Sequence, residues 1–240
     1  MNGLLCIGHR GAGGHAPENT LASFHKALEL GAHCVELDVY LVEGRLVVIH
    51  DEHLERTTNG HGPVMGQTFE YLRSLDAGGG ERIPTLEEVC DAVAGRAGVN
   101  IELKGPGTAA PVVEYARSLC AGRWRPDQIL VSSFDREQLE VCRALDRDLK
   151  LGVLCGGSVG DDLEFAIERG AFALHPALRT VDQAVVDAAQ RQGLRVFVYT
   201  VNHAADLRRM VHLGVDGVFT DYPDRVPRGG CPEPQAIGWR

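Results

Sequence analysis

Short apolar runs alternate with helical stretches along almost the whole chain. Most of the runs are separated by segments long enough to hold a crossover helix, which is typical of a parallel sheet covered by helices. A closed barrel of this kind has eight strands. The chain has one candidate too many, because nine runs rich in apolar residues have the length of strands: 4–8, 34–41, 46–49, 99–103, 129–132, 151–154, 172–174, 196–199 and 215–220.

The second and third runs resolve this excess. Only residues 42–45 lie between them, whereas a parallel crossover needs a dozen or more residues, so these two runs must form an antiparallel hairpin. With residues 42–44 as the loop and Gly44 in the left-handed conformation, Leu41 pairs with Arg45. Eight parallel strands then remain, and the sequence predicts an α/β fold, a TIM (β/α)8 barrel formed as a single domain by residues 1–240.

Two segments fall outside the alternation. Residues 51–84 form a long excursion between the hairpin and its helix, and long insertions at the top of a barrel often shape the substrate site. We therefore expect a small inserted segment that caps this site. The tail, residues 227–240, is rich in proline and glycine and is expected to wrap loosely or to be disordered. Helix starts are marked by Asn19 or Thr20 and by Thr85.

Composition excludes several classes of function. The chain has 33 acidic and 24 basic side chains and a net charge of −9, which argues against nucleic-acid binding, because a binder needs a basic face to neutralise phosphates. No apolar run approaches the roughly 20 residues of a membrane-spanning helix, and the first ten residues lack a secretory pattern, so no stable membrane association is expected. The seven cysteines are scattered without Cys-x-x-Cys spacing, which favours a cytoplasmic location. The oligomeric state stays open.

Ionisable side chains cluster where the first barrel strands end. Barrels of this kind carry their active sites at the carboxyl ends of the strands, so we expect these side chains to meet. The first strand ends in His9 and Arg10, and the second strand carries Glu36 and Asp38. The return strand of the hairpin ends in His50 and Asp51, and the next barrel strand ends in Glu102 and Lys104.

The carboxylates in this set predict a metal site. Successive side chains of a strand point to opposite faces, so Glu36 and Asp38 share one face. Two carboxylates on an inward barrel face would repel each other unless a cation lay between them. With Glu102 they form a set of three oxygen donors, which hard cations prefer. The sequence therefore predicts one divalent cation, Mg²⁺ or Ca²⁺, bound by these three residues.

Two histidines are expected beside the carboxylates. The predicted hairpin register places His50 opposite Glu36, and His9 lies on the other side of the cluster. Imidazole titrates near neutrality, so the pair can supply one general base and one general acid. Arg10 and Lys104 add fixed positive charge. Metal, cations and histidines together are suited to displacement at a phosphodiester.

These residues stand in motifs that closely resemble the glycerophosphodiester phosphodiesterase family, of the bacterial, cytosolic type. The motifs run in family order to about Asp224, across nearly the whole chain. They are His9-Arg10-Gly11, Ala16-Pro17-Glu18-Asn19-Thr20, Glu36-Leu37-Asp38-Val39, His50-Asp51, Leu75-Asp76-Ala77-Gly78, Ile83-Pro84-Thr85-Leu86-Glu87-Glu88, Glu102-Leu103-Lys104, Ser133-Phe134 and Thr220-Asp221-Tyr222-Pro223.

The resemblance implies a TIM-type barrel that hydrolyses small-molecule glycerophosphodiesters to sn-glycerol 3-phosphate and an alcohol, in lipid and glycerol metabolism. It also implies that residues 51–84 cap the substrate site. Two positions depart from the family on the side of the alcohol: Tyr199 stands where members often have tryptophan, and His175-Pro176 replaces an Asn-Pro-like motif. By motif position the resemblance implies roles for seven residues: His9 and His50 as the acid/base pair, Glu36, Asp38 and Glu102 as metal ligands, and Arg10 and Lys104 as phosphate contacts.

Two other classes of function remain open at this point. A metal-dependent carbon–carbon lyase on the same barrel could use the three carboxylates, but it would have little need for two flanking histidines. A catalytically silent binding protein would tolerate the loss of His9 or His50, and both are present. His61 is the one other histidine of interest, because it lies in the inserted segment.

Overall fold

Eight parallel strands close into a barrel in the computed structural model, which describes residues 4–227 and Trp239. The first barrel strand pairs with both the second and the last, which closes the ring. The predicted TIM barrel is therefore confirmed. All but the third of the following strands belong to the barrel: β1 (Leu5–Gly8), β2 (Cys34–Val42), β3 (Arg45–Val48), β4 (Gly98–Leu103), β5 (Ile129–Ser133), β6 (Lys150–Leu154), β7 (Ala173–His175), β8 (Arg195–Val198) and β9 (Gly217–Thr220).

Helices begin where capping side chains allow them. Of the two candidates for the first cap, Thr20 is the N-cap, and its side chain accepts a hydrogen bond from the amide of Ser23. Thr85 and Glu88 form a reciprocal capping box. None of the helices within residues 4–227 has the length and apolar character that crossing a bilayer requires. The helices are α1 (Leu21–Glu29), α2 (Phe69–Ser74), α3 (Leu86–Val93), α4 (Ala109–Cys120), α5 (Arg136–Leu145), α6 (Val159–Glu168), α7 (Gln183–Arg191) and α8 (Ala204–Leu213).

The hairpin between β2 and β3 differs from the prediction by one residue. Val42, not Leu41, pairs with Arg45. The loop thus has two residues, Glu43 and Gly44, whose φ angles are +48° and +74°. A two-residue loop with both φ angles positive matches the right-handed twist of the strands. The predicted three-residue loop is wrong because Glu43, a residue that rarely takes this conformation, adopts it here.

This shift removes the predicted pairing of His50 with Glu36. The ladder ends at Val48, and the amide of Ile49 still donates to the carbonyl oxygen of Asp38 at 3.1 Å. His50 therefore lies beyond the ladder, where strand alternation no longer sets the direction of its side chain.

Residues 51–84 form more than a surface loop. They contain α2 and a small hydrophobic core of their own, which packs on the outer hairpin. This second core fixes the insertion to the barrel next to the carboxyl end of β2. Its buried members are Leu54, Val64, Leu72, Leu75, Ala77 and Ile83 from the insertion and Tyr40, Val42, Val47 and Ile49 from the hairpin.

Trp239 closes the amino-terminal end of the barrel. The side chain is fully buried, with its ring centroid 5.5 Å from that of Phe197. Its Nε1 donates to the carbonyl oxygens of Val99 and Gln128, at 3.3 and 3.2 Å. The loose tail predicted for residues 227–240 lies outside the described residues except at its first residue and at Trp239, and Trp239 is anchored rather than loose.

Replacing Trp239 with alanine should lower the free energy of unfolding by about 3–5 kcal/mol, because it leaves a cavity among apolar side chains. Trp239→Phe is the matched control. It keeps a ring beside Phe197 and loses the indole N–H, so the loss should be smaller, about 1 kcal/mol for each hydrogen bond. Urea unfolding measures both. An alanine variant as stable as the parent would contradict the assignment of Trp239 to the barrel core.

Candidate active site

Three carboxylates converge at the carboxyl ends of β2 and β4. Glu36 and Asp38 lie two residues apart on β2, and Asp38 is the register partner of Glu102 on β4. One oxygen from each of the three side chains lies within 4.8 Å of the others. All three residues are buried, with relative exposures of 2%, 0% and 8%. The strand alternation and the pairing of β2 with β4 thus bring together the three residues that the sequence singles out.

Burial and mutual repulsion hold protons on this cluster. Loss of solvent, followed by the charges of Asp38 and Glu102, raises the pKa of Glu36 well above its ordinary value. The same two effects, burial first and then Asp38, raise the pKa of Glu102 to about 7. One oxygen of Glu36 and one of Asp38 are buried without any hydrogen-bond partner. Such unpaired acceptors are costly in a protein interior.

The donor set fits a hard divalent cation. It offers carboxylate oxygens only, two of them have no other partner, and a cation would remove the repulsion that raises the two pKa values. Thiols and imidazoles take no part in the cluster, because within the described residues the group contains Glu36, Asp38 and Glu102 alone.

Polar groups from three segments bind the outer oxygens of the cluster. The backbone amide of Arg10 donates to Glu36 Oε2 at 2.9 Å, and Lys104 Nζ donates to Glu102 Oε1 at 3.0 Å. Asn19 Nδ2 donates to Asp38 Oδ2 at 2.8 Å. Sequence reasoning treats Asn19 as a possible helix cap and as part of a family motif, without giving it a role at the site. Asn19 directly precedes Thr20, the true N-cap, and this position lets its side chain reach Asp38.

A tight turn after β1 presents the Arg10 amide. Arg10 has a φ of +50° and Gly11 a φ of +86°. A Cβ atom on Gly11 would lie 2.5 Å from the hydroxyl oxygen of Ser23, so this turn requires glycine for both conformation and space. The Arg10 guanidinium lies 3.5 Å from Asp38 and donates to Glu18 at 2.6 Å. Burial lowers its pKa, but Asp38, Glu36 and Glu18 outweigh burial, so the net shift is upward and Arg10 stays charged.

His9 is held by a carboxylate from the far end of the chain. Its Nδ1 and Asp221 Oδ1 are 2.7 Å apart, and Asn202 donates to the other oxygen of Asp221. Burial raises the pKa of Asp221, but the hydrogen bonds from His9 and Asn202 leave it lower than usual. Sequence analysis places Asp221 in a motif without giving it a role, since 212 residues separate it from His9.

His50 is held in a similar way by its neighbour. Its Nδ1 lies 2.6 Å from Asp51 Oδ1, and Lys104 Nζ donates to its Nε2 at 3.3 Å. Burial, together with the charges of Arg10 and Lys104, lowers the pKa of His50 despite the opposing effect of Asp38. Both histidines therefore use Nδ1 to bind a carboxylate, an arrangement that fixes the ring and its tautomer.

The two departures from the family motifs lie at different depths. Tyr199 is at the mouth of the barrel, where its ring meets that of Phe134 edge-on at 6.0 Å and its hydroxyl donates to the carbonyl oxygen of Cys155. Phe134 is 45% exposed and lies 5.9 Å from Lys104 Nζ. His175 is fully buried among the rings of the barrel interior, and burial lowers its pKa to about 3. His61 is exposed in the insertion.

Three comparisons with known proteins point to one family. The model of the glycerophosphoryl diester phosphodiesterase family matches residues 9–225. A glycerophosphodiester phosphodiesterase of Caldanaerobacter subterraneus subsp. tengcongensis is 37% identical over 92% of this chain and 96% of its own length. One from Bacillus altitudinis is 39% identical over 91% of this chain and 94% of its own. The solved structure of an Oleispira antarctica phosphodiesterase in complex with its product sn-glycerol-3-phosphate has a TM-score of 0.84 and 32% identity, covering 92% and 94% of the two chains.

With metal removed by a chelator, Glu102→Gln should stabilise the protein at pH 8. Between its ordinary pKa of 4.5 and the raised value of about 7, the folded chain holds a proton that the unfolded chain has lost. The contribution of Glu102 to stability therefore falls as the pH rises through that interval. The shift corresponds to about 3 kcal/mol at most, and loss of the Lys104 partner reduces the gain, so we expect about 1–3 kcal/mol.

Urea unfolding at pH 8 and pH 5 measures this gain, which should vanish at the lower pH. Glu114→Gln, an exposed change on α4, is the control and should show no pH-dependent gain. A Glu102→Gln protein that is less stable than the parent at pH 8 would contradict the account of repulsion in the cluster.

Proposed function

The chain belongs to the glycerophosphoryl diester phosphodiesterase family, and on this basis we propose that it hydrolyses glycerophosphodiesters to sn-glycerol 3-phosphate and an alcohol. One observation carries the proposal. Three buried carboxylates converge at one end of the barrel, and Lys104 binds both Glu102 of this cluster and His50. The Oleispira antarctica relative binds sn-glycerol-3-phosphate as its product, which supports the same product class here.

We propose that Glu36, Asp38 and Glu102 hold one divalent cation, Mg²⁺ or Ca²⁺. The support is the pair of unpartnered carboxylate oxygens and the raised pKa values of Glu36 and Glu102. When bound, such a cation supplies positive charge to the phosphoryl oxygens. Arg10 and Lys104 add charge from the protein itself. Both keep their protons, because neighbouring carboxylates raise their pKa values in spite of burial, and both suit contact with the phosphate.

His9 and His50 carry the proton transfers in this proposal. One takes a proton from the nucleophile, either water or the neighbouring glycerol hydroxyl, and the other gives a proton to the departing alkoxide. Asp221 and Asp51 each bind the Nδ1 side of one ring. In this proposal Nε2 of each histidine exchanges protons with the substrate. At His50 the substrate phosphate takes the place of Nε2 as the partner of Lys104 Nζ.

We infer that residues 51–84 cap the substrate site. Arg56 of this segment binds Glu18, which in turn binds Arg10 at the site.

We also propose a cytoplasmic location, which agrees with Cys90 and Cys142 being thiols and not members of a disulfide.

Release of glycerol 3-phosphate from glycerophosphocholine tests the function directly. We expect release with Mg²⁺ or Ca²⁺, loss of about 100-fold or more after exhaustive chelation, and recovery when metal returns, because the cation would supply positive charge to the phosphoryl oxygens. Glu102→Gln should raise the metal concentration needed for half-maximal rate.

The same assay separates the alternatives. A carbon–carbon lyase or a silent binding protein would release no glycerol 3-phosphate, which would refute the proposed function. Full activity that survives chelation would refute the metal assignment while leaving the phosphodiesterase activity in place.

The leaving group distinguishes the acid from the base. p-Nitrophenol needs little protonation as it departs, so loss of the general acid should slow a choline ester far more than a nitrophenyl ester, whereas loss of the base should slow both alike. We expect one of His9→Ala and His50→Ala to show each pattern, with losses of about 10²–10⁴-fold on the choline ester.

His61→Ala is the control, because this histidine is exposed in the insertion and should leave both rates unchanged. Folding and metal binding of each variant are verified first. If His9→Ala or His50→Ala retains the parent rate on the choline ester, that histidine is not a member of the pair.

A further inference from the structure

Arg56 lies in the insertion, and the reaction proposed above gives it no role. We propose that it is a positioning residue, whose guanidinium fixes His50 through Asp51 and Arg10 through Glu18, so that the proton-transfer group and the phosphate contact are set by one side chain of the cap. This inference rests on the proposed function and adds a residue to its machinery.

The first link runs from Arg56 to His50. Nη2 of Arg56 donates to Asp51 Oδ1 at 2.9 Å, and its Nε donates to Oδ2 of the same carboxylate. Asp51 Oδ1 also binds Nδ1 of His50 at 2.6 Å. The Arg56 hydrogen bond is the main cause of the lowered pKa of Asp51, which therefore stays ionised. Two bonds to one carboxylate set its plane, and that plane sets the orientation of the imidazole.

The second link runs from Arg56 to Arg10. Nη1 and Nη2 of Arg56 donate to the two oxygens of Glu18 at 2.8 and 2.7 Å. Glu18 Oε1 also accepts a hydrogen bond of 2.6 Å from Nη1 of Arg10. Burial raises the pKa of Glu18, but the Arg56 hydrogen bond and the Arg10 charge overcome it and lower the pKa to about 2. Glu18 therefore lies as a charged spacer between two guanidinium groups.

Only a guanidinium can make both links at once. Arg56 uses three nitrogen atoms to bind two carboxylates in a fork on each side, and the fork geometry is rigid and planar. The insertion also packs closely against the barrel around Arg56. A cavity of about 10 Å³ lies between the insertion and the barrel, with Glu18, His50 and Thr57 among its lining residues.

A second arginine of the insertion provides a matched control. Arg73 also binds a glutamate in a fork, with Nη1 and Nη2 at 2.7 Å from the two oxygens of Glu88. Glu88 belongs to the capping box of α3, and neither residue contacts a histidine or Arg10 in the described structure. Arg73 is thus an ion-paired arginine of the same segment whose role is structural.

The two arginines should respond in opposite ways. Arg56→Ala should lower kcat/KM for glycerophosphocholine by about 10- to 100-fold, the cost of a misplaced catalytic group, with little change in the midpoint of thermal unfolding, because its side chain is 49% exposed. Arg73→Ala should lower the midpoint and leave kcat and KM near the parent values. Guanidinium chloride at millimolar concentration should restore part of the Arg56→Ala rate, whereas sodium chloride of equal ionic strength should not.

The two links can be separated by their other ends. Asp51→Ala should act mainly on kcat, through His50, and Glu18→Ala mainly on KM, through Arg10. In a chain that carries both changes, Arg56→Ala should cost less than about twofold, since additivity fails for residues that act through one another. A full loss in that background, or an equal loss of activity in Arg73→Ala, would overturn the inference.

A readout without turnover separates this inference from the proposed function. The ¹⁵N shifts of the His50 ring should report one tautomer, protonated at Nδ1, in the parent and a mixture in Arg56→Ala but not in Arg73→Ala. If the parent releases no glycerol 3-phosphate, the function fails while the tautomer result still decides the link to His50. An unchanged tautomer in Arg56→Ala would overturn that link even in an active enzyme.

Discussion

The repulsion among Glu36, Asp38 and Glu102 is the constraint on which the rest of the site depends. Three carboxylates cannot all be ionised within 4.8 Å of one another in a buried place unless positive charge lies close by. A backbone amide and a guanidinium from the turn after β1, together with Lys104 at the end of β4, offset part of the negative charge. Two carboxylate oxygens still have no partner, and a divalent cation is the group that they would bind.

The hairpin and the insertion form the part of the site that lies next to the three carboxylates. β2 extends into a hairpin that leaves the barrel, and the insertion packs its own hydrophobic cluster on that hairpin. The segment is thus rigid enough to hold ion pairs at its edge. Asp51 and Arg56 are placed at the point where insertion and barrel meet, which is also where His50 lies.

Much of this arrangement could be predicted from the sequence, because it depends on short-range rules. Strand alternation places Glu36 and Asp38 on one face, and the order of elements gives the barrel. The hairpin register could not be predicted, since two and three residues are both allowed loop lengths and Glu43 adopts an unusual positive φ. The hydrogen bonds from Asn19 and to Asp221 join residues far apart in the chain, so only the folded structure reveals them.

Anomalous diffraction from a crystal grown with Mn²⁺, as a stand-in for Mg²⁺, tests the central claim most directly. The account predicts one strong peak that lies about 2.0–2.6 Å from an oxygen of each of Glu36, Asp38 and Glu102, and a weaker peak in a crystal of Glu102→Gln grown with the same amount of Mn²⁺. A peak bound elsewhere in the parent, with the three carboxylates left unligated, would contradict the account.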